Sequence, residues 1–230
     1  MVIHGLQKMT VLDFPGKIAC TVFTAGCNLR CGFCHNARLV THPEADERLD
    51  EQEVLSYIYK RKGMLDGVCI TGGEPLLQPD IKQFIEKIKE TGLLLKLDTN
   101  GCYPEKLREL LDEKLVDYVA MDIKNSPEEY GKTVGVENFD ITPIKQSIEI
   151  IKASGVDYEF RTTVVRELHT KESLLAAAEL IAPAKKWFLQ GFVDSGDTID
   201  GGFSAYDKNF MKELQESVSQ IVENVELRGI

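Results

Sequence analysis

One alternation constrains the fold of this 230-residue chain more than any other feature: a short apolar, β-branched run followed by an amphipathic stretch, repeated six times. Strands are expected at Lys17 to Phe23, Gly67 to Thr71, Leu93 to Asp98, Val116 to Asp122, Asp157 to Val165 and Lys186 to Phe192. A helix is expected to about Lys62, opened by the capping box Asp50-Glu51-Gln52-Glu53. Further helices are expected at Pro79 to Thr91, Pro104 to Asp112, Thr142 to Ala153, Lys171 to Ile181 and Asp207 to Val222. Strands alternating with helices need right-handed crossovers, so the fold class is α/β with a parallel sheet. The pattern leaves open a doubly wound sheet or a barrel, and six units are too few for the closed eight-stranded form. No Pro/Gly/Ser-rich linker interrupts the chain. One domain over 1–230 is expected, with its core at about 17–192 and a C-terminal helix and tail over 193–230.

The polar and glycine-rich segments fall just after these strands. The first strand leads into Gly26-Cys27-Asn28-Leu29-Arg30-Cys31-Gly32-Phe33-Cys34-His35-Asn36, and the second into Thr71-Gly72-Gly73-Glu74-Pro75. The third leads into Asp98-Thr99-Asn100-Gly101, the fourth into Asp122-Ile123-Lys124, and the sixth reaches Gln190-Gly191. In parallel α/β folds the C-terminal strand ends share one face, and ligands bind there. Five segments far apart in sequence are therefore expected to meet at one site.

The cysteine loop gives that site its chemistry. Three thiolates on a [4Fe-4S] cluster leave one iron with an open position, whereas four thiolates leave none. A zinc ion on Cys27, Cys31, Cys34 and His35 is the competing reading, and it asks adjacent residues to reach one ion. A disulfide framework fits less well, because six cysteines in 230 residues are sparse and the N-terminus does not read as a secretory leader. Cys20, Cys69 and Cys102 read as small buried apolar residues. Arg161, inside a β-branched run, needs a partner if buried, either an internal carboxylate or a ligand. The formal net charge of -10 argues against a nucleic-acid backbone as partner. The longest apolar stretch, Leu174 to Ala184, is broken by Glu179 and Pro183 and is too short to span a membrane. A soluble cytoplasmic protein is expected.

The cysteine string resembles the signature of radical S-adenosylmethionine (SAM) enzymes, in the form found in glycyl-radical-enzyme activating enzymes. Many other members of that superfamily carry different residues where His35 and Asn36 stand. Together with Gly5-Leu6-Gln7-Lys8 and Leu12-Asp13-Phe14-Pro15-Gly16, it is most similar to activators of anaerobic ribonucleoside-triphosphate reductases, over the chain to about Phe192. The resemblance implies a partial (β/α)6 TIM-like barrel with a [4Fe-4S] cluster at one mouth, held by Cys27, Cys31 and Cys34. It also implies SAM as cosubstrate.

Other segments take roles from the same resemblance. Gly72-Gly73-Glu74-Pro75, otherwise a plain turn, is similar to the motif that meets the SAM amino group: glycine permits close backbone approach, and a carbonyl or carboxylate accepts from an ammonium. Asp98-Thr99-Asn100-Gly101, otherwise an Asx turn, implies a place at the active-site rim, with Asp98 ordering the cofactor or a monovalent cation. Asp122 and Lys124, otherwise an exposed pair, imply contact with the methionyl end of SAM. Phe33 would pack near adenine, since an aromatic face suits a purine. His35 is a candidate for a hydrogen bond near the cluster, and Arg161 and Gln190 for contacts to the SAM carboxylate or ribose.

The implied reaction is reductive cleavage of SAM to methionine and a 5′-deoxyadenosyl radical, which takes a Cα hydrogen from a backbone glycine of a partner. The implied partners are a glycyl radical enzyme, the anaerobic ribonucleotide reductase, and a flavodoxin- or ferredoxin-type electron donor. Pyruvate formate-lyase remains open as the target, as does a small molecule in the manner of deazapurine synthases. From another class, a non-catalytic iron-sulfur or zinc protein is the alternative. Between Cys34 and Cys69 there is no further cysteine, which disfavours larger activases with a ferredoxin-like insert.

Overall fold

The computed structural model describes residues 1–43 and 48–230. Among these described residues eight strands form one sheet in chain order: β1 (Ile3–Thr10), β2 (Ala19–Thr24), β3 (Gly67–Gly72), β4 (Leu94–Thr99), β5 (Tyr118–Asp122), β6 (Asp157–Val164), β7 (Trp187–Gly191) and β8 (Val225–Arg228). β1 is antiparallel to β2, and every later pair is parallel. The helices are α1 (Ala37–Thr41), α2 (Glu51–Arg61), α3 (Ile81–Lys89), α4 (Pro104–Asp112), α5 (Tyr130–Val134), α6 (Thr142–Ala153), α7 (Lys171–Ile181) and α8 (Lys208–Val218). All six expected β/α units are present, from β2 with α2 to β7 with α8.

The strands alternate as pleating requires. On β4, Leu95 and Leu97 are fully buried in one hydrophobic cluster with Phe84, Ile85 and Ile88 of α3. On α3 the buried set is Ile81, Phe84, Ile85 and Ile88, the spacing that places apolar residues on one helix face. The intervening Lys96 and Asp98 point to the opposite face of the sheet. Trp187 on β7 is fully buried and its indole N–H donates to Thr162 Oγ1 at 3.0 Å. Asp50 caps α2 as expected, accepting from Gln52 N at 2.8 Å and Glu53 N at 3.1 Å.

Four departures from expectation have local causes. The sheet extends beyond 17–192 at both ends. β1 was hidden because Ile3–Thr10 lacks clean alternation, three consecutive residues being exposed along an edge strand. β8 has four residues and lies inside the expected tail, α8 ending at Val218 rather than Val222. The expected helix from Pro79 starts at Ile81, after a separate 3-10 turn at Pro75–Leu77. The short α1 and α5 have five residues each, too few to show a period.

Candidate active site

A cavity of about 270 Å³ opens at the C-terminal ends of the parallel strands. The loop after β2 contributes Cys27, Cys31, Phe33, Cys34 and His35, and the turn after β3 contributes Gly72 and Gly73. Asp98 comes from β4, Asp122 and Lys124 from the end of β5, Arg161 from β6 and Gln190 from β7. Twelve of the thirteen residues singled out in the sequence thus meet there; Glu74 does not.

The cysteine loop is held from several sides. Gly26 N donates to Leu39 O at 2.7 Å, Arg30 N to Val134 O at 2.8 Å, and Cys34 N to Cys31 O at 3.0 Å. Asn36 Nδ2 donates to Gly72 O at 2.8 Å, tying the loop to the turn after β3. A Cβ at Gly32 would stand 2.6 Å from Asp200 Oδ2 and 2.9 Å from the Phe203 ring, so a larger residue there would displace those side chains. All three cysteines are free thiols. Burial pushes the Cys31 thiol up to about 12 and raises that of Cys27, with Lys124 opposing both shifts. Binding a metal would release those protons.

Among the described residues no three His, Cys, Asp or Glu side chains converge closely enough for one metal ion. A tetrahedral zinc ion would need its sulfurs each about 2.3 Å from a common point. A four-iron cluster offers each thiolate its own iron, so three cysteines spread around one cavity fit it better than they fit zinc.

Opposite the cysteines runs a chain of alternating charge. Lys96 pairs with Asp98; Arg161 bonds Asp98 Oδ2 at 3.1 Å through Nη1 and Asp122 Oδ1 at 2.9 Å through Nε; Lys124 Nζ reaches Asp122 Oδ2 at 2.9 Å. Burial alone would raise both carboxyls, but Arg161 with Lys96 holds Asp98 low, and Arg161 with Lys124 holds Asp122 low. The internal ion pair that the sequence left open for Arg161 is therefore made. Asp98 and Asp122 are likewise engaged with protein cations.

A family model for the radical SAM superfamily matches residues 21–181. The chain belongs to that superfamily. Its members use a [4Fe-4S] cluster and SAM. A Methanocaldococcus jannaschii protein provisionally described as a glycyl-radical enzyme activating enzyme is 29% identical over 99% of this chain and 96% of its own length. The pyruvate formate-lyase-activating enzyme of Clostridium pasteurianum is 32% identical over 78% of this chain and 75% of its own length. The chain is thus a homologue of glycyl-radical-enzyme activating enzymes. Streptococcus suis SuiB, solved with a precursor peptide, superposes with a TM-score of 0.70 at 15% identity, covering 90% of this chain and 48% of SuiB. The chain spans about half of SuiB, and at that identity the likeness concerns the fold.

Within this radical SAM chain, Glu74 lies outside the cavity lining, while the turn that the sequence offered as carbonyl or carboxylate acceptor for a ligand's ammonium reaches the cavity at Gly72 and Gly73. The side chain is fully buried, accepting from Leu76 N at 2.9 Å, Thr99 Oγ1 at 2.9 Å and Asn100 N at 2.7 Å. Burial pushes it up to about 7 despite those donors. The two glycines before it also answer to the protein: a Cβ at Gly72 would lie 2.3 Å from Thr24 O, and one at Gly73 1.9 Å from Gly26 O. Their close approach is to the end of β2, which leaves the turn's other side to the cavity.

Phe33, which needed cover, is covered by Phe203, edge to face at 6.2 Å. His35 stacks on Phe192 at 5.4 Å and its Nε2 bonds Val193 O at 2.7 Å. Sequence reasoning missed the segment that supplies Val193 and Phe203, because nothing in 193–203 signals which loop it will cross. It also missed Thr163 and Ile199 in the cavity wall, and Asn100, although it quoted the segment containing Asn100. His169, outside all of these motifs, is fully buried, with Val165 N donating to its Nδ1 at 3.0 Å while Nε2 meets Lys124 O at 2.7 Å. It fixes the backbone from which Lys124 projects. Cys20 and Cys69 are fully buried as expected, while Cys102 is only partly so. Among the described residues no helix is long and apolar enough to cross a membrane.

Proposed function

We propose that this chain activates the anaerobic ribonucleoside-triphosphate reductase by installing a glycyl radical on it. The observation that carries the reading is the meeting of three free cysteines with the Lys124-Asp122-Arg161-Asp98 charge chain around one cavity. Cys27, Cys31 and Cys34 would hold a [4Fe-4S] cluster and leave one iron without a protein ligand. When bound, cluster and SAM supply the family's hydrogen-abstracting radical chemistry. Lys124 and Asp122 would meet the opposite charges of the methionyl end. Backbone at Gly72 and Gly73 would line its amino end. Phe33, His35 and Gln190 would bound the nucleoside, with the Phe33 ring held in place by Phe203. Asp98 and Arg161 would act by keeping Asp122 ionised and in place.

The choice of the reductase rests on Gly5-Leu6-Gln7-Lys8 and Leu12-Asp13-Phe14-Pro15-Gly16. A second reading, activation of pyruvate formate-lyase, is favoured by the relative that is 32% identical over 78% of the chain. The test is anaerobic: reconstituted protein, reductant and SAM are mixed with each candidate partner, and electron paramagnetic resonance is used to look for a glycyl radical. A signal with the reductase and not the lyase supports the first reading, and the reverse supports the second. No signal with either moves the substrate to a small molecule. One zinc per chain in place of about four iron and four sulfide would remove the catalytic reading.

A further inference from the structure

Asn100 is buried and both ends of its side-chain amide are hydrogen-bonded. Its Nδ2 donates to Asn28 Oδ1 at 2.9 Å and to Cys27 Sγ at 3.6 Å, while its Oδ1 accepts from Cys102 N at 2.9 Å. Turned over, the amide would set its oxygen against the Asn28 oxygen and the sulfur, and its N–H groups against the Cys102 N–H, so the orientation is determined. Its main chain is fixed as well, since Asn100 N and Thr99 Oγ1 both donate to the buried Glu74 carboxylate. A continuous set of bonds therefore runs from the turn after β3, through the end of β4, to the first cysteine of the loop.

We propose that Asn100 is a positioning residue for the cluster: its N–H···S bond to Cys27, aimed by Glu74, anchors that ligand and raises the cluster's reduction potential. The inference rests on the reading of Cys27 as a cluster ligand. Potentials of iron-sulfur clusters respond to hydrogen bonds on their sulfurs, because an N–H dipole pointed at sulfur stabilises the more negative, reduced cluster most. Leu29 N also donates to Cys27 Sγ, at 3.4 Å, so mutation isolates the side chain's share while the backbone bond remains.

The test is a redox titration of the reconstituted full chain followed by electron paramagnetic resonance, comparing Asn100→Ala and Asn100→Asp with the native chain. Asn100→Asp keeps an acceptor for Cys102 N and replaces the donor with a carboxylate oxygen, so it carries the test if Asn100→Ala fails to fold. For Asn100→Ala we expect the ratio of reduced to oxidised cluster at a fixed potential to fall about tenfold, equivalent to a midpoint about 59 mV lower for a one-electron couple. Asn100→Asp should fall further, because a carboxylate oxygen then faces the sulfur. Both variants should also release iron to a chelator faster, whereas Cys102→Ala should keep the native midpoint. Native midpoints and native iron release in both Asn100 variants would overturn the proposal. A native chain that binds no four-iron cluster would instead sink the reading on which the proposal rests.

Discussion

On β4, Leu95 and Leu97 enter the helix-facing core, while Lys96 and Asp98 enter the opposite face; on β6, Phe160 and Thr162 alternate with Glu159 and Arg161 in the same way. Burial does not distinguish the faces, because Lys96 and Glu159 are as hidden as their apolar neighbours. What differs is how each face satisfies its atoms. The helix face is held by packing, so its losses scale with the cavity a substitution leaves. The cavity face is held by paired charges: Arg161 between Asp98 and Asp122, and Arg228 with Tyr118 on Glu159. There a removed partner leaves a buried charge uncompensated, which costs far more than the pair contributes. One set of strands therefore has a face that tolerates approximate fit and a face that demands particular groups.

The comparison breaks most visibly at the cysteines. Cys31→Ala should abolish both iron binding and formation of 5′-deoxyadenosine, with circular dichroism still showing a folded chain. Retention of a four-iron cluster would refute the ligand set. Next come two substitutions of similar expected size and different character, read by chemical denaturation. Trp187→Ala on the helix face should destabilise by about 3–5 kcal/mol, with little dependence on pH between about 4 and about 7. Arg161→Met on the cavity face should cost about 3–5 kcal/mol near neutrality, and its deficit should narrow on acidification.

The sign of that pH effect follows from the lowered carboxyls. Asp98 and Asp122 ordinarily titrate at 3.8 and are held below it, so the stability they lend is complete above 3.8 and is lost as the pH falls through their lowered values. Without the guanidinium these partly buried groups take up protons more readily in the folded state, and acid then relieves the variant relative to the native chain. An Arg161→Met deficit that is flat with pH would show the two faces to be energetically alike. The smallest effect is expected at Cys69, which touches Lys96 and Asp98 at 3.8 Å. Cys69→Ala should cost roughly 1 kcal/mol and keep its cluster and activity; loss of both would move the ligand set to the wrong cysteines.

Much of this site was legible in one dimension because its parts are local. The cysteine spacing, the glycine pair and the Asp-Ile-Lys segment each sit directly after a strand, and the parallel topology that brings strand ends together follows from alternation alone. Glu74 shows where legibility stopped. The segment reads as a plain turn or as a ligand contact, and that the Glu74 carboxylate accepts from Thr99 and Asn100 is visible only in three dimensions. β8 was illegible for a different reason: four residues carry no period, and pairing with β7 alone makes them a strand.

By itself the chain determined the α/β order, the helix-facing residues and which short segments hold reactive groups, because these depend on periodicity and on neighbours within a few positions. The tertiary structure decided which charges pair, that Phe203 covers Phe33, that His169 supports Lys124 and that Asn100 reaches Cys27 across 73 positions. Such contacts join residues distant in the chain, and side-chain direction, unlike strand order, is settled only once every surrounding group has taken its place.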